Sequence, residues 1–342
     1  MISNILLLAR WEWFKLRRRW MLWILLAFAI LFGQLAVWGQ YFSYNTVRAT
    51  GGEVTVPAAF QQQGRIPRTL ACNDLLSADP ARRPADLDAQ VLAGLTAQCR
   101  QQAAAFPARL ERAYQSFTLP GSMRTALNIV QSLALILLAI LTASTVGIDY
   151  GSGTLRTVLT QGTGRWTYLT AKLITLAALS FVGLVVTLAT VAVSSAIATS
   201  LAGAAPASAG VVPPTWSDVV TSLVKGWASL LPYISLVTFV TIFARSSAAG
   251  MAIGLGYYFA EQLIIALFSA LFSWFQNVAD FLLVRNITAW TGGGGAGGGI
   301  PTGTLPDETH AAVLLIVYTV VLGAIAFWTF ERRDVAGATG GG

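Results

Sequence analysis

The chain has 342 residues, 55% hydrophobic and only 11% charged, with a formal net charge of +7 and a mean hydropathy of +0.63. A soluble domain carries about 25% charged residues, so this composition excludes one and indicates an integral membrane protein. The basic excess falls in separate clusters beside apolar runs, which reports topology and contact with anionic lipid; no nucleic-acid partner is expected.

Residues 1–19, MISNILLLARWEWFKLRRR, read as an amphipathic interfacial helix. Leu6, Leu7, Trp11, Phe14 and Arg18 recur at helical spacing, and Trp and Arg suit the headgroup layer. The same charges also anchor the span that follows at 20–39. Its apolar run exceeds the roughly 7–15 residues of a signal peptide, so it reads as an uncleaved first span.

Residues 40–124 form an extracytoplasmic domain. It opens with irregular chain marked by glycine and proline through Pro67. From Pro84 to Phe117, alanine, leucine and glutamine dominate, and the pattern predicts two helices broken near Pro107. Leu87, Val91, Leu92, Leu95 and Cys99 make one apolar stripe, the pattern of a core face. The two cysteines, Cys72 and Cys99, both fall in this segment. An even pair confined to an oxidising compartment reads as a disulfide, the other reading being two free thiols.

Five further spans follow within 125–330, near 125–147, 172–201, 226–243, 248–272 and 311–330. A spanning helix needs about 20 apolar residues, and the alternation of barrel strands is absent. The predicted fold is therefore an all-α membrane protein with six transmembrane helices, an N-terminal interfacial helix and a mainly helical domain between spans one and two. Short loops rich in Lys and Arg face the cytoplasm. Arg10, Lys15, Arg17, Arg18 and Arg19 precede span one; Arg156, Arg165 and Lys172 follow span two. Arg245 links spans four and five, and Arg332 and Arg333 end the chain, against only Lys225 and Arg285 in the short loops opposite. Both termini are expected in the cytoplasm, in a multi-pass protein of the cytoplasmic membrane, with a cytoplasmic loop at 148–171 and a tail at 331–342. The outer loop, 273–310, begins with SWFQNVADFLLVRNITAW, which reads as short helices on the outer surface, and continues into a glycine-rich linker.

Catalytic signatures are missing. The single histidine, His310, cannot build a Cys/His metal cluster, and G-x-x-x-x-G-K-[ST], G-x-S-x-G and C-x-x-C do not occur. No cofactor or metal is expected on this chain. Glu261 is the outlier inside a span, beside Gln262. A charge there costs about 2.5–3.5 kcal/mol on insertion scales, so it must face protein or a water-filled cavity. Contact with a substrate or proton path is one reading; a hydrogen bond between helices is the other.

The 148–171 loop is the most informative segment. In YGSGTLRTVLTQGTGRWTYLTAK, Leu155, Val158 and Leu159 share one helical face. Gly151 and Gly153 permit a turn before that helix, and Gly162 and Gly164 one after it. The helix presents its leucines to the cytosol or rests them on lipid. Asp149, the block Gly153-Thr154-Leu155-Arg156, Leu159, the block Gly162-Thr163-Gly164-Arg165 and Lys172 together resemble the cytoplasmic loop of ATP-binding-cassette (ABC) transporter permeases of the type-2 exporter family. That family often has Glu in place of Asp149 and frequently a Pro near Thr163. The six-span layout, the amphipathic N-terminus and the final FERRD extend the resemblance over the membrane part but not over 40–124.

The resemblance implies a permease subunit of an ABC exporter without an ATPase site of its own. Gly153, Thr154, Leu155, Arg156, Val158, Leu159 and Arg165 would couple to a separate ATPase subunit that carries the ATP and Mg. Two permeases, as a homodimer, would enclose a substrate path lined by spans two and five, placing Glu261 and Gln262 on it. The alternative is a membrane-anchored interaction or sensor protein acting through 40–124. An intramembrane enzyme is a third reading, without a catalytic set to support it.

Overall fold

The computed structural model describes residues 2–50, 53–55, 69–77, 89–151, 160, 164–206, 210–272, 274–292 and 305–332. In chain order the helices are α1 (Ile2–Arg17), α2 (Trp20–Thr50), α3 (Cys72–Leu76), α4 (Ala89–Phe117), α5 (Gly121–Gly151), α6 (Arg165–Ala202), α7 (Trp216–Ala244), α8 (Ser247–Leu271), α9 (Phe275–Ala279), α10 (Leu283–Thr291) and α11 (Glu308–Arg332). Two short strands, β1 (Glu53–Thr55) and β2 (Thr69–Ala71), pair antiparallel with Val54 opposite Leu70.

Six helices, α2, α5, α6, α7, α8 and α11, are long and apolar enough to cross a membrane. Most outrun the windows that located them: α2 continues to Thr50 where 20–39 was expected, and α6 has 38 residues. At 1.5 Å per residue that is about 57 Å, well beyond a hydrocarbon core of about 30 Å. Hydropathy marks only the stretch in hydrocarbon, and a helix continues until something stops it. For α6 the stop is Gly203, which takes the left-handed conformation (φ 77°) just past its end.

The chain divides into two compact units. One holds Met1–Gly33, Ala126–Thr190 and Val220–Gly342; the other holds Gln34–Thr125 and Val191–Val219. In the first, α5 and α7 are buried over most of their apolar length, whereas α8 and α11 are buried over little of theirs. Small residues set the contact of α8 with α5 and α7. Ala139, Ala143 and Gly147 recur every four residues on α5, opposite Gly254, Gly250 and Ser247 of α8. A side-chain carbon at Gly254 would lie 3.1 Å from Ala139 Cβ and 3.0 Å from Val237 Cγ2 of α7. One at Gly147 would collide with Ser247. With hydrocarbon on every side, close backbone approach replaces the hydrophobic effect as the source of helix association. Hydrogen bonds add to it: Gln131 Nε2 donates to Ser229 Oγ at 2.6 Å, and the Tyr233 hydroxyl donates to the Gly254 carbonyl.

In the second unit, Cys72 and Cys99 form a disulfide with their Cα atoms 5.4 Å apart. Leu70, Leu75 and Leu95 pack around it with Val91 and Leu92, so this part of the stripe is a core face; Leu87 lies outside the described residues. Tyr41 and Tyr44 of α2 meet Tyr114 and Phe117 of α4 ring to ring, with Tyr44 and Phe117 fully buried. The expected break at Pro107 is absent, and α4 runs through it unbroken. Proline removes the hydrogen bond to the carbonyl of Ala103, but Ala103 and Pro107 are both exposed, on a face where solvent can meet a freed carbonyl. The irregular opening is also shorter than expected, since α2 and β1 occupy 40–50 and 53–55; residues 56–68 lie outside the described residues.

Candidate functional site

Residues 152–159 and 161–163 lie outside the described residues, and with them Gly153, Thr154, Leu155, Arg156, Val158 and Leu159. What the structure places is the pair of roots from which that loop springs, the end of α5 and the start of α6. Asp149 and Lys172, one on each root, are both buried. Lys172 pairs with Asp149 and donates to the Thr145 carbonyl at 2.7 Å. The Tyr168 hydroxyl, one turn before Lys172 on α6, donates to the same carboxylate. From α1, Lys15 reaches Asp149 Oδ1 at 3.1 Å, and Glu12 stands 3.9 Å from both Lys15 and Lys172.

Two carboxylates and two ammonium groups thus balance in one cluster, in which Glu12, Asp149 and Lys172 are buried and Lys15 stands partly exposed at the edge. Removing such charges from water is costly and is offset only when each is paired and hydrogen-bonded. The cluster therefore holds α1, α5 and α6 in one arrangement. The hydroxyl of Thr175 on α6 adds a contact to the Ala9 carbonyl of α1 at 3.4 Å. On α1, Glu12 and Leu16 turn inward, while Leu7, Trp11 and Phe14 stay exposed as an open apolar face.

Arg165, the one coupling candidate within the described residues, opens α6. Its guanidinium donates to the Phe330 and Glu331 carbonyls, in the last turn of α11, where helix carbonyls lack partners of their own. Beside it, Trp166 Nε1 donates to Glu331 Oε2 at 3.0 Å, and its ring stacks on Phe327 at 4.6 Å. The loop roots are joined in this way to the last span as well.

Glu261 is buried on α8, and both its carboxylate oxygens are occupied. Oε2 accepts from the Val284 amide at 3.0 Å and Oε1 from the Arg285 amide at 2.7 Å. These are first-turn amides of α10, whose own N-cap residue, Leu282, supplies no side-chain bond. Tyr257, one turn before Glu261 on α8, accepts from the Leu283 amide at 3.4 Å. Three orphan donors at one helix start are met from a different helix, and the carboxylate sits where the helix dipole favours negative charge. Gln262 is half-buried next to it. Nearby, Asn286 is fully buried and donates to the Asp280 and Leu282 carbonyls.

Sequence reasoning missed Glu12 and Tyr257. The signals were spacing: Glu12 lies three residues before Lys15, and Tyr257 four before Glu261. Among the described residues no group of acidic, histidine or cysteine side chains could hold a metal ion. The arrangement is a mechanical one, two loop roots locked to each other and to two neighbouring helices, α1 and α11.

A family model described as ABC-2 family transporter protein matches residues 6–335. No curated protein and no solved structure matches the chain.

Proposed function

The chain belongs to the ABC-2 family of transporter proteins, and from that premise we propose that it is the membrane permease of an ABC exporter driven by a separate ATPase subunit. The 148–171 loop faces the cytoplasm, together with both termini, and docks into that ATPase. ATP and Mg belong to the ATPase. Two copies of the permease form a homodimer in the cytoplasmic membrane, with the substrate path between them along α5 and α8.

One observation carries the coupling part of this reading: the charge cluster of Glu12, Lys15, Asp149 and Lys172 at the loop roots. A loop on loose roots would absorb a push from its partner. Roots locked to α1 and to each other pass that displacement into α5 and α6, and Arg165 passes it to α11. In the loop itself, Leu155 and Leu159 are the docking face, with Gly153, Thr154, Arg156 and Val158 shaping and flanking it. Glu261 acts on the path through the helix it caps, and Gln262 beside it is the side chain open to the path.

The test is copurification with the ATPase and transport-coupled ATP hydrolysis. Burying a leucine contributes about 1.5–3 kcal/mol, so Leu155→Asp with Leu159→Asp should abolish association while leaving insertion intact. A double variant that still copurifies and transports at the normal rate overturns the coupling reading. Cysteine labelling should reach Ser77→Cys from outside intact cells and not Thr339→Cys; the opposite pattern reverses the topology.

A further inference from the structure

The membrane part carries an apolar groove that coupling does not use. It lies between α2, α5 and α6, within a single compact unit. Leu22 and Leu26 of α2, Leu138 and Leu141 of α5, and Leu179 and Gly183 of α6 line it. No charged side chain stands on its walls. The two hydroxyls that reach it, Ser180 and Thr187, donate to carbonyls of their own helix, Ala177 and Gly183, each at 2.8 Å. The walls suit a methylene chain and offer a polar ligand little.

Leu22, at one end of the groove, follows Arg17, Arg18 and Arg19 by three to five residues, just past the turn that joins α1 to α2, and the Arg18 guanidinium lies 4.4 Å over the Phe14 ring of α1. Arg17 and Arg18 are exposed, and among the described residues none of the three arginines forms an ion pair. The apolar slot thus has three arginines a few residues from its Leu22 end. We propose that it is a lipid site: one acyl chain of an anionic phospholipid lies between α2, α5 and α6, and the headgroup phosphate rests against Arg17, Arg18 and Arg19. Guanidinium matches phosphate in charge and geometry. Each basic residue close to an anionic surface is worth about fivefold in affinity. A zwitterionic lipid would enter the same slot without that gain.

Gly183 supplies a clean way to close the groove. A Cβ added there meets nothing within 4 Å, so the position accepts a side chain, and Gly183→Leu puts its bulk in the slot. Ala29→Phe fills it from the opposite wall. The full chain, reconstituted in phosphatidylcholine vesicles, would be exposed to phosphatidylglycerol carrying a photoactivatable diazirine on its acyl chain, and the labelled peptides mapped. Label should concentrate on 22–29, 130–141 and 179–187. Unlabelled phosphatidylglycerol should compete and phosphatidylcholine should not. Gly183→Leu and Ala29→Phe should each remove the label, and Arg17→Gln, Arg18→Gln and Arg19→Gln together should remove the headgroup preference. Equal labelling of the exposed Val313, Ile316 and Val320 on α11 would show only the general lipid annulus and overturn the proposal. So would label that survives both groove-filling variants, or equal competition by the two headgroups.

Discussion

Asp149 and Lys172 form a buried ion pair across the two roots of the 148–171 loop, with Lys172 also donating to the Thr145 carbonyl at 2.7 Å. Removing one partner of such a pair strands the other charge, at a cost of about 3–5 kcal/mol. Lys172→Met should therefore lower the melting temperature of the purified protein sharply. Asp149→Asn combined with Lys172→Met should recover much of that loss, because no charge is left stranded. The double variant should still fail to couple ATP hydrolysis to transport, since α1 loses its hold on the roots. A double variant that melts below Lys172→Met by the full cost of Asp149→Asn alone would show that the two residues act independently.

Gly250 of α8 faces Thr241 of α7 and Ala143 of α5, whose Cβ would lie 3.0 Å from a side-chain carbon placed there. Gly250→Val should separate these helices and destabilise by about 1–3 kcal/mol, the range for overpacking a tight core. Gly256, on the same helix, would place a carbon where nothing lies within 4 Å. Gly256→Ala should be neutral or mildly stabilising, so thermal unfolding of the two variants separates packing from helix propensity.

Glu261 and α10 make a third case. Glu261→Ala leaves the Val284 and Arg285 amides buried without acceptors, at about 1–3 kcal/mol each. Glu261→Gln keeps one acceptor and turns a donor toward the other amide. Hydrogen exchange across Leu283–Arg285 should accelerate in both, more in Glu261→Ala, and Tyr257→Phe should act mainly on Leu283. Exchange that is unchanged in all three would mean the helix start does not depend on α8.

The Cys72–Cys99 disulfide closes a loop with a sequence separation of 27. In the chain-entropy model a loop of that size contributes about 3.5 kcal/mol. Cys99→Ser should therefore expose α4 near Val91 and Leu95 to limited proteolysis while leaving the membrane helices folded. Proteolysis as slow as in the parent chain would assign the stability of this segment to the ring contacts of Tyr44, Tyr114 and Phe117 instead.

The sequence by itself determined the number of candidate spans, the helix before them, the two cysteines that can pair and the family-like pattern from Asp149 to Lys172. Each of these is local or additive. A hydropathy sum over twenty residues does not depend on what packs nearby, and two cysteines have only one way to pair. The tertiary structure decided which faces meet. Nothing in the chain order says that Glu261 spends both oxygens on amides of another helix, or that Arg165 reaches the last carbonyls of α11. The same carboxylate in a water-filled path would have the same sequence around it. Pro107 shows the limit from the other side: its cost depends on whether the Ala103 carbonyl faces water or protein. Small residues on α5 and α8 signal close packing, but only the fold selects Gly147 against Ser247 and leaves Gly183 facing open space. Burial and partner are pairwise properties of surfaces brought together, and they exist only once the helices have associated.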